Sequence, residues 1–275
     1  MPLHPHVVCS TISFRRQPLD RALSVISELG FAEVDLGALP GVCDHVPYDL
    51  TGEAVGRVAE TFQRFGSTVR SINADIGDLN RALDEGERAG REAHLCRLLE
   101  LADSVGAQAI VLPCGSQGQE PLDGLRADVS RVASALRWAA QIAYGRGVQI
   151  WVEAQHSGRL CHSRERADLL LTELEDSDVR TVLDVSHVVA AGDDIPSWIE
   201  RWGHRIAHVH LRDARPGDIH LTPGNGDVDF PAAIAALKSA GYAGAYSLEL
   251  ETADVAEEDR PAAALRAGTF ISSLL

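Results

Sequence analysis

The chain predicts a closed (β/α)8 barrel, the TIM-barrel class of α/β fold, with residues 1–275 forming a single domain. Three observations point there. Short apolar runs recur eight times with helix-length segments between them, several runs follow a glycine turn, and no linker or low-complexity stretch divides the chain. A barrel of this class takes ~250 residues as one domain, close to the length available.

The strand candidates, in order, are HVVCSTI (6–12), AEVDLG (32–37), TVRSIN (68–73), AIVLP (109–113), QIWVE (149–153), RTVLD (180–184), IAHVHL (206–211) and AYSLEL (245–250). Their continuous apolar or β-branched character suits buried parallel strands. Turns such as ELGFAEV, RFGSTV, SVGAQAI, GRGVQI and SAGYAGAY precede several of them. Glycine just past a helix, followed at once by a strand, is the expected αβ connection. Between the strands, LDRALSVISEL, AVGRVAETFQRF, HLCRLLELADSV and DVSRVASALRWAAQIA carry apolar residues at helical spacing. A doubly wound open sheet is the alternative fold, but no GxGxxG or Walker loop follows the first strand.

Four strand candidates end near a residue that binds divalent metals. These are Glu153 in QIWVEAQH, Asp184 in RTVLDVSH, His210 in IAHVHLRD and Glu249 in AYSLELET. The C-terminal strand ends of such a barrel share one mouth, so all four converge there. A shared cation explains four ligand-competent residues at equivalent places better than four separate rim residues, because such groups are rarely buried unpaired. The O,O,O,N donor set suits Mn²⁺, Mg²⁺, Co²⁺ or Zn²⁺ without selecting one.

Composition narrows the chemistry. A formal net charge of −15 argues against a nucleic-acid backbone or an anionic membrane as partner. No apolar run approaches the ~18 residues of a membrane span, and the first residues lack the form of a secretory signal. The five cysteines (Cys9, Cys43, Cys96, Cys114 and Cys161) are widely spaced, which predicts reduced thiols in a cytoplasmic protein. The single lysine, Lys238, lies in an Ala-rich helical stretch and reads as a solvated helix-end residue, so a Schiff base is not expected. An electrophile then has to come from the metal set.

DVSHVVAAGDD resembles the D-x-x-H…G-x-D segment of the xylose-isomerase-like TIM barrels, the sugar isomerase/epimerase superfamily. IAHVHLRDA is similar to its H-x-H-x-x-D segment, GYAGAYSLELE to its closing G-Y-x-G-x-x-x-x-E, and WVEAQHS carries the strand-five glutamate. The superfamily includes D-tagatose 3-epimerase, hydroxypyruvate isomerase, inosose dehydratase and endonuclease IV. The resemblance implies one divalent ion, with Mn²⁺ expected, held by Glu153, Asp184, His210 and Glu249. It also implies that Glu153 and Glu249 exchange protons with a sugar whose enediolate the metal stabilises. His187, three residues after Asp184, is expected to bind a substrate oxygen, with a structural histidine as the alternative; His156 has a weaker version of the same role.

RDARPGDIHLTPGNGDVDF reads as a long loop after strand seven, and long loops in compact domains are commonly functional. Arg215 is a candidate substrate-binding residue there. Asp218 and His220 form a D-x-H pair resembling the endonuclease IV pair that helps hold additional zinc, and so mark a possible second metal site. Strand four, IVLPCGS, lacks the histidine of that trinuclear site, and the acidic balance disfavours DNA. Upstream, Cys43 and His45 either line the mouth or form a turn, and Asn73 and Asp75 are available for sugar hydroxyls. His4, His94, His162 and His204 read as ordinary surface or structural residues, and Cys114 as packing.

The expected function is therefore a metal-dependent sugar or polyol isomerase or epimerase, acting on a non-phosphorylated sugar, polyol or keto-glycoside. The alternatives are a lyase that expels a β-leaving group, as in inosose dehydratases and C-glycoside-cleaving relatives, an endonuclease-IV-like hydrolase, and a non-catalytic subunit role. A homo-oligomer, dimer or tetramer, is expected.

Overall fold

A computed structural model describes residues 2–275. The strands are β1 (Val7–Ser10), β2 (Glu33–Ala38), β3 (Thr68–Ala74), β4 (Ala109–Pro113), β5 (Gln149–Glu153), β6 (Arg180–Asp184), β7 (Ile206–Leu211), β8 (Asp213–Arg215), β9 (Asp218–Leu221) and β10 (Tyr246–Leu248). The helices are α1 (Leu19–Glu28), α2 (Gly52–Phe65), α3 (Glu85–Val105), α4 (Leu125–Tyr144), α5 (Arg164–Glu173), α6 (Val185–Ala190), α7 (Ile195–Trp202), α8 (Phe230–Ser239) and α9 (Arg260–Leu274). Eight parallel strands close in the order β1-β10-β7-β6-β5-β4-β3-β2, which is the barrel read from the sequence. Among the described residues no helix is long and apolar enough to cross a membrane.

Local chemistry sets the element boundaries. Gly66 and Gly106 end α2 and α3 in the left-handed region, at φ 63° and 70°. Asp84 and Glu87 form a reciprocal capping box that starts α3, whose first turns extend well upstream of the periodic segment HLCRLLELADSV. The first strand is shorter than its apolar run because the Ser10 hydroxyl accepts from the Ile12 N–H and turns the chain into the 3₁₀ turn Thr11–Phe14. The stretch after β7 is not an irregular loop. It holds the antiparallel hairpin β8–β9.

Asp213 organises that hairpin. Its carboxylate accepts from the N–H groups of Ala214, Gly224, Gly226 and Val228. A Cβ at Gly226 would overlap the Asp213 carboxylate and the Ala214 carbonyl, so only glycine fits there.

The core lies mainly between strands and helices, where one face of each strand packs outward. Ile150, Val152, Leu183, Val209, Leu211, Tyr246 and Leu248 belong to this layer. The alternate residues point into the barrel. A small apolar cluster of Ala109, Val111, Trp151 and Val182 sits in the interior. The next inward positions along β5, β6 and β7, and just beyond β10, are Glu153, Asp184, His210 and Glu249.

Candidate metal centre

The period-two alternation of the strands therefore brings the four sequence-predicted ligands to one place. Glu153, Asp184, His210 and Glu249 are all buried, and each offers one ligand atom within 4.8 Å of the others. Asp184 also caps α6: its Oδ1 accepts from the Ser186 N–H at 2.7 Å and hydroxyl at 2.6 Å. That fixes the carboxylate and leaves Oδ2 toward the cluster. Asn73 donates to Glu249 Oε1 at 3.1 Å, so it orients a candidate ligand as well as lining the cavity.

His210 is the hub. Its Nδ1 lies 3.3 Å from Glu153 Oε1 and 3.5 Å from Glu249 Oε2. Burial opposes a charged imidazole, but Glu249, Glu153 and Asp35 outweigh it and push His210 up to about 10. Burial also pushes Glu249 up, to about 7, with Glu153 adding to it and His210 opposing. Glu153 moves the other way: burial raises it, but the His210 hydrogen bond and the nearby histidines hold it well below the usual carboxylate range. In the metal-free cluster a proton on His210 thus answers the buried carboxylates. Three carboxylates and an imidazole packed this closely fit a divalent cation, which would offset charge that one proton leaves largely uncompensated.

A polar layer beneath was not foreseen. His208, two residues before His210 and on the same inward face, places Nε2 2.7 Å from Asp35 Oδ2 on β2. Ser71 donates to Asp35 Oδ1 at 2.8 Å. Burial raises Asp35, but His208 and His210 outweigh it and hold the carboxylate ionised. His210 Nε2 has no hydrogen-bond partner and lies 3.7 Å from the same Asp35 oxygen. The alternation of IAHVHL carried this signal, since both histidines of an H-x-H strand must share a face.

His156 joins the site from the loop after β5, and His187 from the first turn of α6, after β6. Their rings lie 4.0 Å apart. Ser157 donates its N–H to His187 Nδ1 at 3.2 Å, so the neutral ring carries its proton on Nε2, 3.7 Å from Asp184 Oδ2. Burial pushes both histidines down to about 3, His187 helping to lower His156. The two line a mouth cavity of about 400 Å³ together with Glu153, Glu249, Arg212 and Glu251.

The arginine in this cavity is Arg212, not Arg215. Arg212 is almost wholly buried, 3.5 Å from Asp184 Oδ2 and 3.1 Å from Glu251 Oε2. Arg215 is exposed on the hairpin and donates to the Asn225 carbonyl. The structure does not gather a second cluster around Asp218 and His220 either. Asp218 Oδ1 accepts the backbone N–H of His220, His220 Nδ1 faces the Glu251 carbonyl at 3.0 Å, and among the described residues neither belongs to a three-ligand group. Cys43 and His45 form a buried turn, with Sγ and Nδ1 3.2 Å apart, and Cys114 packs in the core. Lys238 is exposed and donates to the carbonyls of Leu274 and Leu275 at the end of α9.

Barrel and cluster together define a (β/α)8 protein with a carboxylate–histidine centre at the C-terminal mouth of its strands. The chain belongs to the xylose isomerase-like TIM barrel family, whose sequence model matches residues 23–272. It is 28% identical over 263 residues to the rhizopine catabolism protein MocC of Rhizobium meliloti, covering 85% of this chain and 75% of that protein. An inosose dehydratase of Clostridium botulinum is 27% identical over 138 residues, 44% of this chain and 46% of the dehydratase. The structure of an L-ribulose 3-epimerase superposes with a TM-score of 0.77 at 21% identity, covering 100% of this chain and 95% of the other.

Proposed function

We propose that the protein is a divalent-metal-dependent isomerase or epimerase of a non-phosphorylated ketose or keto-glycoside. The observation that carries this reading is a pair of buried glutamates flanking His210 Nδ1 within one four-ligand cluster at the barrel mouth. Two carboxylates so placed are suited to exchange protons with a substrate held between them. Glu153, Asp184, His210 and Glu249 would hold the ion. When bound, it supplies Lewis-acid polarisation of a carbonyl oxygen, which acidifies the neighbouring C–H.

The protein's own groups do the rest. Glu153 and Glu249, on either side of the bound sugar's reacting carbon, are suited one to take its proton and the other to return one. Asn73 keeps Glu249 in place. His187 lines the cavity and would offer its Nε2–H to a substrate oxygen, with the tilted His156 ring 4.0 Å from it. Arg212 is already engaged with Asp184 and Glu251, and Arg159 with Asp75, so among the described residues no free arginine in this cavity calls for a phosphate.

A lyase is the second reading, favoured by the inosose dehydratase similarity. The same proton abstraction then leads to loss of a β-hydroxyl or glycoside. Turnover of ketoses and keto-glycosides by the Mn²⁺-loaded protein in D₂O, followed by NMR, separates the two. An epimer or aldose–ketose isomer with deuterium beside the carbonyl supports the first reading, whereas an unsaturated or dehydrated product replaces it with the second. No metal-dependent product from either class would sink both.

A further inference from the structure

We infer that the substrate is a two-ring glycoside, its keto-sugar in the metal-centre cavity and its second, uncharged ring on Tyr48 in an adjoining cavity. This rests on the function proposed above and names its substrate class. The adjoining cavity, of about 660 Å³, opens over the segments after β2 and β3 and the first half of α3. It adjoins the mouth cavity, since Pro40, Asp75, Gln117 and Arg159 line both. The mouth cavity alone is about 400 Å³, already at the scale of a complete small-ligand site (roughly 300–1,000 Å³), so the added space asks for a larger substrate.

Three features say what fills it. Tyr48 leaves 54% of its surface exposed, held by the His94 ring at 4.6 Å. An exposed ring braced from behind is a stacking platform for a sugar or aryl ring. The arginines around it are engaged: Arg159 pairs with Asp75 at 3.2 Å, Arg81 with Glu87 at 2.8 Å, and Arg91 donates to the carbonyls of Ile76 and Asp78. With its arginines so engaged, the cavity suits hydroxyls that both donate and accept better than a phosphate or carboxylate.

The third feature is Gly90. It lies inside α3 on the cavity lining, and a Cβ there would meet nothing within 4 Å. Packing does not require this glycine and helix propensity opposes it, so what it provides is an open floor.

The test measures binding, not turnover. Metal-loaded protein is titrated with free keto-hexoses and with phenyl and glucosyl glycosides of the same keto-hexoses, using calorimetry and saturation-transfer NMR. At least one two-ring glycoside should bind about tenfold more tightly than its parent sugar, the scale of one good aromatic contact plus the area it covers. Tyr48→Ala and, separately, Gly90→Leu should erase that preference while metal content stays full. Leucine at position 90 favours the helix, so loss of preference there cannot be put down to unfolding. Equal affinity for one- and two-ring ligands, no saturable binding of any glycoside, or a preference that survives both variants would overturn the inference. Failure of the metal-isomerase reading shows separately, as missing metal binding or missing solvent exchange.

Discussion

His208 on β7 reaches across the barrel to Asp35 on β2, Nε2 to Oδ2 at 2.7 Å, with both side chains fully buried. The pair lies directly beneath the candidate metal centre, since the same Asp35 oxygen is 3.7 Å from the orphaned Nε2 of His210. A carboxylate behind a ligating imidazole fixes its tautomer and raises its basicity. Asp35→Asn should therefore weaken metal affinity ~10–100-fold and lower the melting temperature. Calorimetric Mn²⁺ titration of the folded variant checks this, and an unchanged affinity would remove Asp35 from the metal site.

The four-residue cluster makes a direct prediction. Glu153→Ala or Asp184→Ala should abolish high-occupancy metal binding while circular dichroism stays native. Full metal content in both purified variants contradicts the assignment.

Metal and protons compete for the same atoms. With His210 pushed up to about 10 and Glu249 to about 7, binding at pH 7 must displace the His210 proton and part of another. Metal affinity should therefore climb as pH rises through neutrality, and calorimetry in buffers of different ionisation heat should show more than one proton released.

Stability of the metal-free protein should run the opposite way. Both folded-state values lie above the ordinary 6.5 and 4.5, so the folded state binds more protons than the unfolded chain. The Glu249 contribution is lost as pH rises through about 7 and the His210 contribution as it rises through about 10. Above about pH 8 the histidines that burial lowers are neutral in both states, so metal-free protein should melt at a lower temperature at pH 10 than at pH 8, and metal should close the gap. A metal-free melting temperature that rises over this range contradicts the protonated cluster.

Proton transfer can be tested at each glutamate. With metal saturated, Glu153→Gln and Glu249→Gln should each lose kcat by ~10²–10⁴-fold, the usual worth of acid–base catalysis. Wild-type turnover should place deuterium from D₂O at the carbon beside the carbonyl. Near-normal rates in both variants would take the pair out of the mechanism, and turnover without exchange would favour a hydride shift.

The two arginines after β7 should separate sharply. Arg212→Ala removes a buried cation between Asp184 and Glu251 and should cost stability or metal affinity, on the order of 3–5 kcal/mol for a broken buried pair. Arg215→Ala, exposed and bonded only to the Asn225 carbonyl, should change catalysis by less than about twofold, since surface changes stay within ~0.5 kcal/mol. Thermal melts and steady-state kinetics on both variants decide it.

Much of the barrel was legible because it is locally encoded. Apolar runs give strands, glycine turns stop helices, and strands β4 to β7 coincide with their sequence segments. The convergence of Glu153, Asp184, His210 and Glu249 follows from the same rule, as residues at strand ends in a closed parallel barrel have one mouth to face. What the sequence could not determine depends on contacts between distant segments. Arg212 and Arg215 stand three residues apart, yet only the hairpin anchored by Asp213 decides which is buried beside Asp184 and which faces solvent. Asp35 and His208 meet only because barrel closure turns the inward faces of β2 and β7 onto one interior. The Tyr48 cavity exists only where four separate loops pack around a helix glycine. Periodicity is a property of near neighbours in the chain, whereas pairing across a barrel and the space between loops arise from the closed fold as a whole.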